Sequence, residues 1–138
     1  MKRYFIIIPI LVLLSCTVFA AQKRGLSDSE ISGLLTGKWR VMLSEDNTKL
    51  DAVNEYRSDG TMVQEGRLTV SGKRMNIHIE STWKVEKGKL ISTLVSIRPR
   101  GILQAGLTTT DTVISIDKTE YVFRDDKTGK RQTYYRIK

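Results

Sequence analysis

The chain offers little material for catalysis. It holds one His and one Cys, and sets 15 Asp and Glu against 23 Lys and Arg. A zinc site wants three or four Cys and His ligands, and a Ser or Cys nucleophile wants a positioned His as its base, so both chemistries are starved of material. His78 alternates with Asn76 and Glu80, a spacing that puts it on the wetted face of a strand. Glu55, Asp59 and Glu65 lie about a turn sequence and could offer a carboxylate pair, but nothing in their spacing sets the separation that glycoside hydrolysis needs. The run Thr108, Thr109, Thr110, Asp111, Thr112 could line a cavity mouth with hydroxyls, and suits an ordinary strand equally well. The chain reads as a non-enzyme with no metal and no cofactor, and binding is the chemistry left to consider.

Cysteine and charge are both coloured by the N-terminus. Lys2 and Arg3 precede an uncharged stretch, Tyr4 to Ala21, whose apolar part ends in Val18-Phe19-Ala20. This is the pattern of a secretory signal peptide cleaved after Ala20, and Pro9 and Ser15 interrupt it too early for a retained span. Residues 1–20 are then a leader and residues 21–138 a single domain, exported to a periplasm or beyond. Losing Lys2 and Arg3 lowers the net charge from +8 to +6, and losing Cys16 leaves no thiol. A disulfide framework is excluded, so stability must come from a core. The alternative is Leu13-Leu14-Ser15-Cys16 as a lipobox, with a lipidated Cys16 holding the protein on a membrane.

Ser27-Asp28-Ser29-Glu30 has the form of a capping box, and Ile31, Leu34 and Leu35 follow at helical spacing. One helix of about eight residues is expected, with Gly37 closing it in a left-handed conformation. After Gly37 the apolar residues recur every second position. Met75, Ile77, Ile79, Ser81, Trp83 and Val85 share one face, while Trp39, Val41 and Leu43 do the same in an earlier segment. Further strands are read at 50–57, 61–70, 89–97, 110–116, 120–124 and 130–137, eight in all. The short Gly-containing links Ser58-Asp59-Gly60, Ser71-Gly72, Glu86-Lys87-Gly88 and Asp125 to Gly129 make neighbours antiparallel. An eight-strand meander has two raw edges unless it closes, so the predicted fold is all-β: an eight-stranded antiparallel up-and-down barrel preceded by one short helix. The long link from Arg98 to Thr109 carries Ile102, Leu103 and Leu107 and is expected to fold over a barrel mouth.

These segments carry a resemblance. Gly37-Lys38-Trp39 at the exit from a short helix is similar to the Gly-x-Trp signature of the lipocalins and the wider calycin superfamily. Together with Tyr56 to Thr61, Ser81 to Val85, Gly88-Lys89-Leu90 and Tyr134-Tyr135-Arg136, it resembles the small bacterial lipocalin-like domain proteins over nearly the whole of residues 21–138. The second lipocalin motif begins at Thr110-Asp111-Thr112 without its aromatic, and the C-terminal helix of larger lipocalins is missing. The resemblance implies that Arg136 packs across Trp39 at the closed end of the barrel, a contact worth about 0.5 to 2 kcal/mol.

Two functions from different classes fit such a barrel. In the first, a small apolar or amphipathic molecule enters an interior lined by Val41, Leu43, Met75, Ile77, Ile79, Ser81 and Trp83, with Ala52, Gly66 and Ser92 leaving space. In the second, the barrel is solid, and the protein is an inhibitor or assembly factor that works through its loops. The basic residues Lys73, Arg74, Lys84, Lys87, Lys89, Arg98, Arg100, Lys127, Lys130 and Arg131 fall mostly near turns. They suit an anionic envelope surface better than a nucleic-acid groove, and no nucleic-acid partner is expected of an exported protein.

Overall fold

A computed structural model of the chain describes residues 25–138; the leader read at residues 1–20 and the alternative anchor at Cys16 lie outside the described residues. Helix α1 (Asp28–Leu35) starts on the capping box. The Ser27 hydroxyl accepts from the Glu30 N–H at 3.1 Å, and the Glu30 carboxylate accepts from the Ser27 N–H at 3.3 Å. The helix stops one residue earlier than Gly37, with the Thr36 N–H donating to the Ser32 carbonyl. Gly37 instead opens the first strand with φ +131°, and a Cβ there would collide with the Arg136 guanidinium. Glycine at this position thus leaves room for an arginine from the far end of the chain.

Eight strands follow: β1 (Gly37–Glu45), β2 (Thr48–Tyr56), β3 (Thr61–Val70), β4 (Lys73–Glu86), β5 (Lys89–Arg98), β6 (Thr108–Ile116), β7 (Glu120–Asp125) and β8 (Arg131–Arg136). Each pairs antiparallel with the next, and β8 returns to β1 to close the barrel. Closure is slight. β1 and β2 match over nine residue pairs, whereas β1 and β8 match only at Trp39 with Arg136 and Arg40 with Tyr135. Two bulges keep the buried faces in phase. Val95 on β5 and Ile114 on β6 are the extra residues, and both turn outward while Leu94 and Ile97 stay buried.

Strand length gives the wall an uneven height. β4 has 14 residues and β8 has six, about 46 Å against about 20 Å of extended chain. The helix lies at the end where β1 starts and β8 finishes. The turns at 46–47, 71–72 and 126–130 mark the other end.

The core concentrates at the helix end: Leu35, Trp39, Val41, Leu90 and Tyr121 are the largest fully buried side chains. Tyr121 stacks on Phe123 at 4.9 Å, and Trp39 and Tyr134 meet it edge-on. The loop at 99–107 differs from expectation. Its Ile102, Leu103 and Leu107 are 39%, 45% and 45% exposed, so they face water and pack over nothing. The Leu94 and Leu107 backbones pair at 2.8 Å, which draws the loop along the wall of β5.

Candidate ligand-binding interior

The closed end is built from both ends of the chain. The Trp39 indole, 0% exposed, donates to the Leu35 carbonyl at 2.8 Å. The Arg136 guanidinium lies 4.4 Å from the indole centroid and donates to the carbonyls of Thr36 and Leu34, capping the end of α1. These carbonyls would otherwise be orphaned by the end of the helix. The Arg136 Nε is buried without a partner among the described residues. At the N-terminal end of α1, the Asp28 carboxylate accepts from the Lys87 and Gly88 N–H groups, both at 2.8 Å, and ties the helix to the turn between β4 and β5.

All seven residues read as an interior lining lie on the inner face, because alternation along β1 and β4 turns them there. Val41, Ile77 and Ser81 are fully buried; Leu43, Met75, Ile79 and Trp83 are partly open. Leu50 and Leu68, set in register between Leu43 and Met75, are partly open too. Water thus still reaches apolar surface on the inner face. Leu43, Leu50, Leu68 and Met75 lie toward the end opposite the helix, whereas Trp83 lies near the helix end, where Trp39 and Arg136 are buried or pack on the helix. Gly66 does not leave the space expected of it: it faces Ala52 so closely that a Cβ would strike Ala52 and the Asp51 carbonyl, so its missing side chain serves the close approach of β2 and β3.

There is also a cleft in the wall. Past their two closing pairs β1 and β8 diverge, leaving a cleft of about 470 Å³ lined by residues that include Leu43, Glu45, Lys130 and Gln132. The Glu45 and Lys130 side chains form an ion pair across it. A second groove of about 980 Å³ lies against the outer face of β1 to β3, where Arg40 and Asp51 pair at 3.2 Å.

The interior is not uniformly apolar. The Gln64 amide donates to the Asn54 carbonyl oxygen at 2.7 Å, and the Asn54 amide to the Tyr56 hydroxyl at 3.5 Å. The Tyr134 hydroxyl donates to Gln132 at 3.5 Å, and the Tyr121 hydroxyl, on a residue 1% exposed, has no partner among the described residues. Asp111, between Leu90 on β5 and Asp125 on β7, is turned to the same interior. Burial, then the carboxylates of Asp125 and Asp126, push its carboxyl up to about 7. Asp111 acts on Tyr56, Tyr121 and Tyr134, whose hydroxyls burial holds well above the usual tyrosine range and therefore protonated. None of Asn54, Gln64, Tyr121 or Gln132 was singled out from sequence, and Asp111 was placed at a mouth. Extending the alternation to β2, β3, β6, β7 and β8 would have found them as polar residues in inward phase.

The carboxylates weighed for catalysis stay apart. Glu55 pairs with Arg57 at 3.0 Å, Asp59 closes its turn by accepting from the Thr61 N–H and hydroxyl, and Glu65 holds His78 at 2.8 Å on the outer face. His78 also meets Glu80, and the two carboxylates raise its pKa. Among the described residues no group of three or more His, Cys, Asp or Glu is placed to hold a metal ion. Fold and site together define a one-ended β-barrel with a polar belt above a sealed aromatic floor. No protein-family model matches the chain, and no curated protein matches it.

Proposed function

We propose that the chain is an exported, lipocalin-like binding protein, and not an enzyme, that takes a small apolar or amphipathic molecule into the barrel. One observation supports this above the others: Leu43, Leu50, Leu68, Met75 and Ile79 point inward yet remain partly open to water. Their apolar surface is unburied in the free protein and would be covered by a ligand, each Å² contributing about 25 cal/mol before the costs of association. The cleft between β1 and β8 supplies a path.

The test is binding of N-phenyl-1-naphthylamine, an uncharged fluorescent probe, at one-to-one stoichiometry. Leu68→Trp should fill the open half and abolish the signal. Arg67→Trp, next door and outward, should leave it intact. Equal behaviour of the two variants, or no uptake by the wild type, would sink the reading.

A second reading has its own support. Arg98 and Arg100 precede exposed Ile102, Leu103 and Leu107, giving a basic and apolar loop suited to an anionic envelope surface. Under that reading, a triple change of the three apolar residues to Ser should release the protein from phosphatidylglycerol vesicles without touching probe uptake.

A further inference from the structure

The geometry points to Asp111 and the Tyr121 hydroxyl as the head-group subsite of the barrel, selecting amphipathic ligands that carry an ammonium group. The inference rests on the interior-binding reading and names the ligand class within it.

Three observations converge. Tyr121 is 1% exposed, and its hydroxyl is buried without a hydrogen-bond partner among the described residues. A buried polar group left unpaired is costly, so the hydroxyl calls for a partner that a bound molecule would supply. Asp111 is turned inward on β6, and no side-chain or backbone donor reaches its carboxylate among the described residues, although its neighbours are amply paired. Asp126 takes Lys89 and Thr112, and Asp125 takes the Lys127 and Thr128 N–H groups at 2.7 and 3.0 Å. The nearest lysine is therefore already committed. The third observation is the aromatic wall beside them: Tyr121, Phe123 and Tyr134 lie within 4.8 to 6.1 Å of one another, centroid to centroid.

A carboxylate with no internal cation, set among aromatic rings, is a site for an alkylammonium: the charge pairs with Asp111 and the methyl or methylene groups meet ring faces. The apolar tail would then run up the wall through Ile79, Met75 and Leu68. Residues 21–138 carry a net charge of +6, which gives an anionic ligand reason to bind outside and none to bind beside Asp111.

The groups facing Asp111 are Asp125 and Asp126 from β7 and the turn after it, Tyr56 from β2, Tyr121 from β7 and Tyr134 from β8. With the tyrosines protonated throughout and Asp126 held by Lys89, Asp111 is the group whose charge changes near neutrality. Affinity for a fixed cation should accordingly rise as Asp111 ionises.

The experiment is calorimetric titration with three amphiphiles of one tail length: decyltrimethylammonium, decanol and decanoate. The cation is permanently charged, so any pH dependence belongs to the protein. Expected is at least tenfold tighter binding of the cation than of decanol at about pH 8.5, with that preference falling at least tenfold by about pH 5.5. Asp111→Asn, nearly isosteric, should erase both the preference and its pH dependence while decanol still binds. Tyr121→Phe should weaken the cation without lowering the melting temperature, a split that a purely structural hydroxyl would not show. Equal affinity for cation and alcohol, or tighter decanoate, overturns the subsite and leaves the barrel a binder. Failure of all three to bind overturns the interior reading along with it.

Discussion

The two ends of the barrel solve the same problem differently. At the helix end, Trp39, Tyr121, Leu35 and Leu90 are buried, the indole has its hydrogen bond, and Arg136 covers both a ring face and two orphaned carbonyls. At the opposite end, Leu43, Leu50, Leu68 and Met75 have the same inward direction and comparable bulk, yet water reaches them. Side-chain size is therefore not what seals a barrel. The sealed end has a lid, α1, and an arginine that ties lid to wall; the open end has only turns and a loop whose apolar residues face away. Stability should accordingly be concentrated in the sealed half, and the entry of a ligand in the open one.

Substitutions can break this contrast or sharpen it. Trp39→Ala should cost about 3 to 5 kcal/mol, read as a lowered urea midpoint at unchanged slope. Arg136→Met should cost about 2 to 3 kcal/mol, since the Leu34 and Thr36 carbonyls lose their donor while part of the packing on Trp39 survives.

Asp111→Asn has the opposite sign. A carboxyl held up to about 7 in the fold, against an ordinary value near 3.8, binds its proton more tightly when folded. Its contribution makes stability fall as pH rises between those values. The Asn variant should melt higher than wild type at about pH 8 and lose that part of the pH slope, while a melting temperature lower at every pH would mean that Asp111 is braced by a partner. Leu68→Ala in the open half should cost under about 1 kcal/mol, because a side chain already reached by water leaves little cavity behind; a loss as large as that of Trp39 would show both ends equally packed. Smallest is His78→Gln on the outer face. The folded pKa of His78 is raised by Glu80 and Glu65, so its contribution is present below about pH 6.5 and fades as pH rises through the folded value. Exposure limits it to about 0.5 kcal/mol, detectable as a difference between urea midpoints at about pH 5.5 and about pH 8.5.

The barrel was legible because its strands alternate cleanly and its turns carry glycine where a positive φ is needed, as at Gly60, Gly72 and Gly88. The helix was legible from one capping box. Gly37 was read in the right place for an incomplete reason: helix capping is a local rule, and the guanidinium that needs its missing Cβ arrives from residue 136. The bulges at Val95 and Ile114 were invisible, since one extra residue leaves both flanking patterns intact and changes only their phase. The apolar loop residues misled, because hydrophobicity says that a side chain would profit from cover and not that cover exists. The polar belt was missed for a related reason. Asn54, Gln64 and Asp111 look like solvent-facing residues until each strand's inner face is known, and a polar residue in inward phase means something only once closure has removed the water on that side.

The slightness of the seam between β1 and β8 bears on how the chain finds its fold. Every other strand pairing joins neighbours in sequence, so seven hairpins can form through loops of at most nine residues, whereas the Arg136 contacts with Leu34 and Thr36 close loops of about 100 residues. Two residue pairs, the Ile137 N–H to Lys38 carbonyl bond and one guanidinium offer too little to nucleate such a loop, so the meander should be largely ordered before they form. Closure belongs to the final stage of folding, on the native side of the main barrier. Weakening the seam should leave the folding rate nearly unchanged and appear almost wholly as faster unfolding.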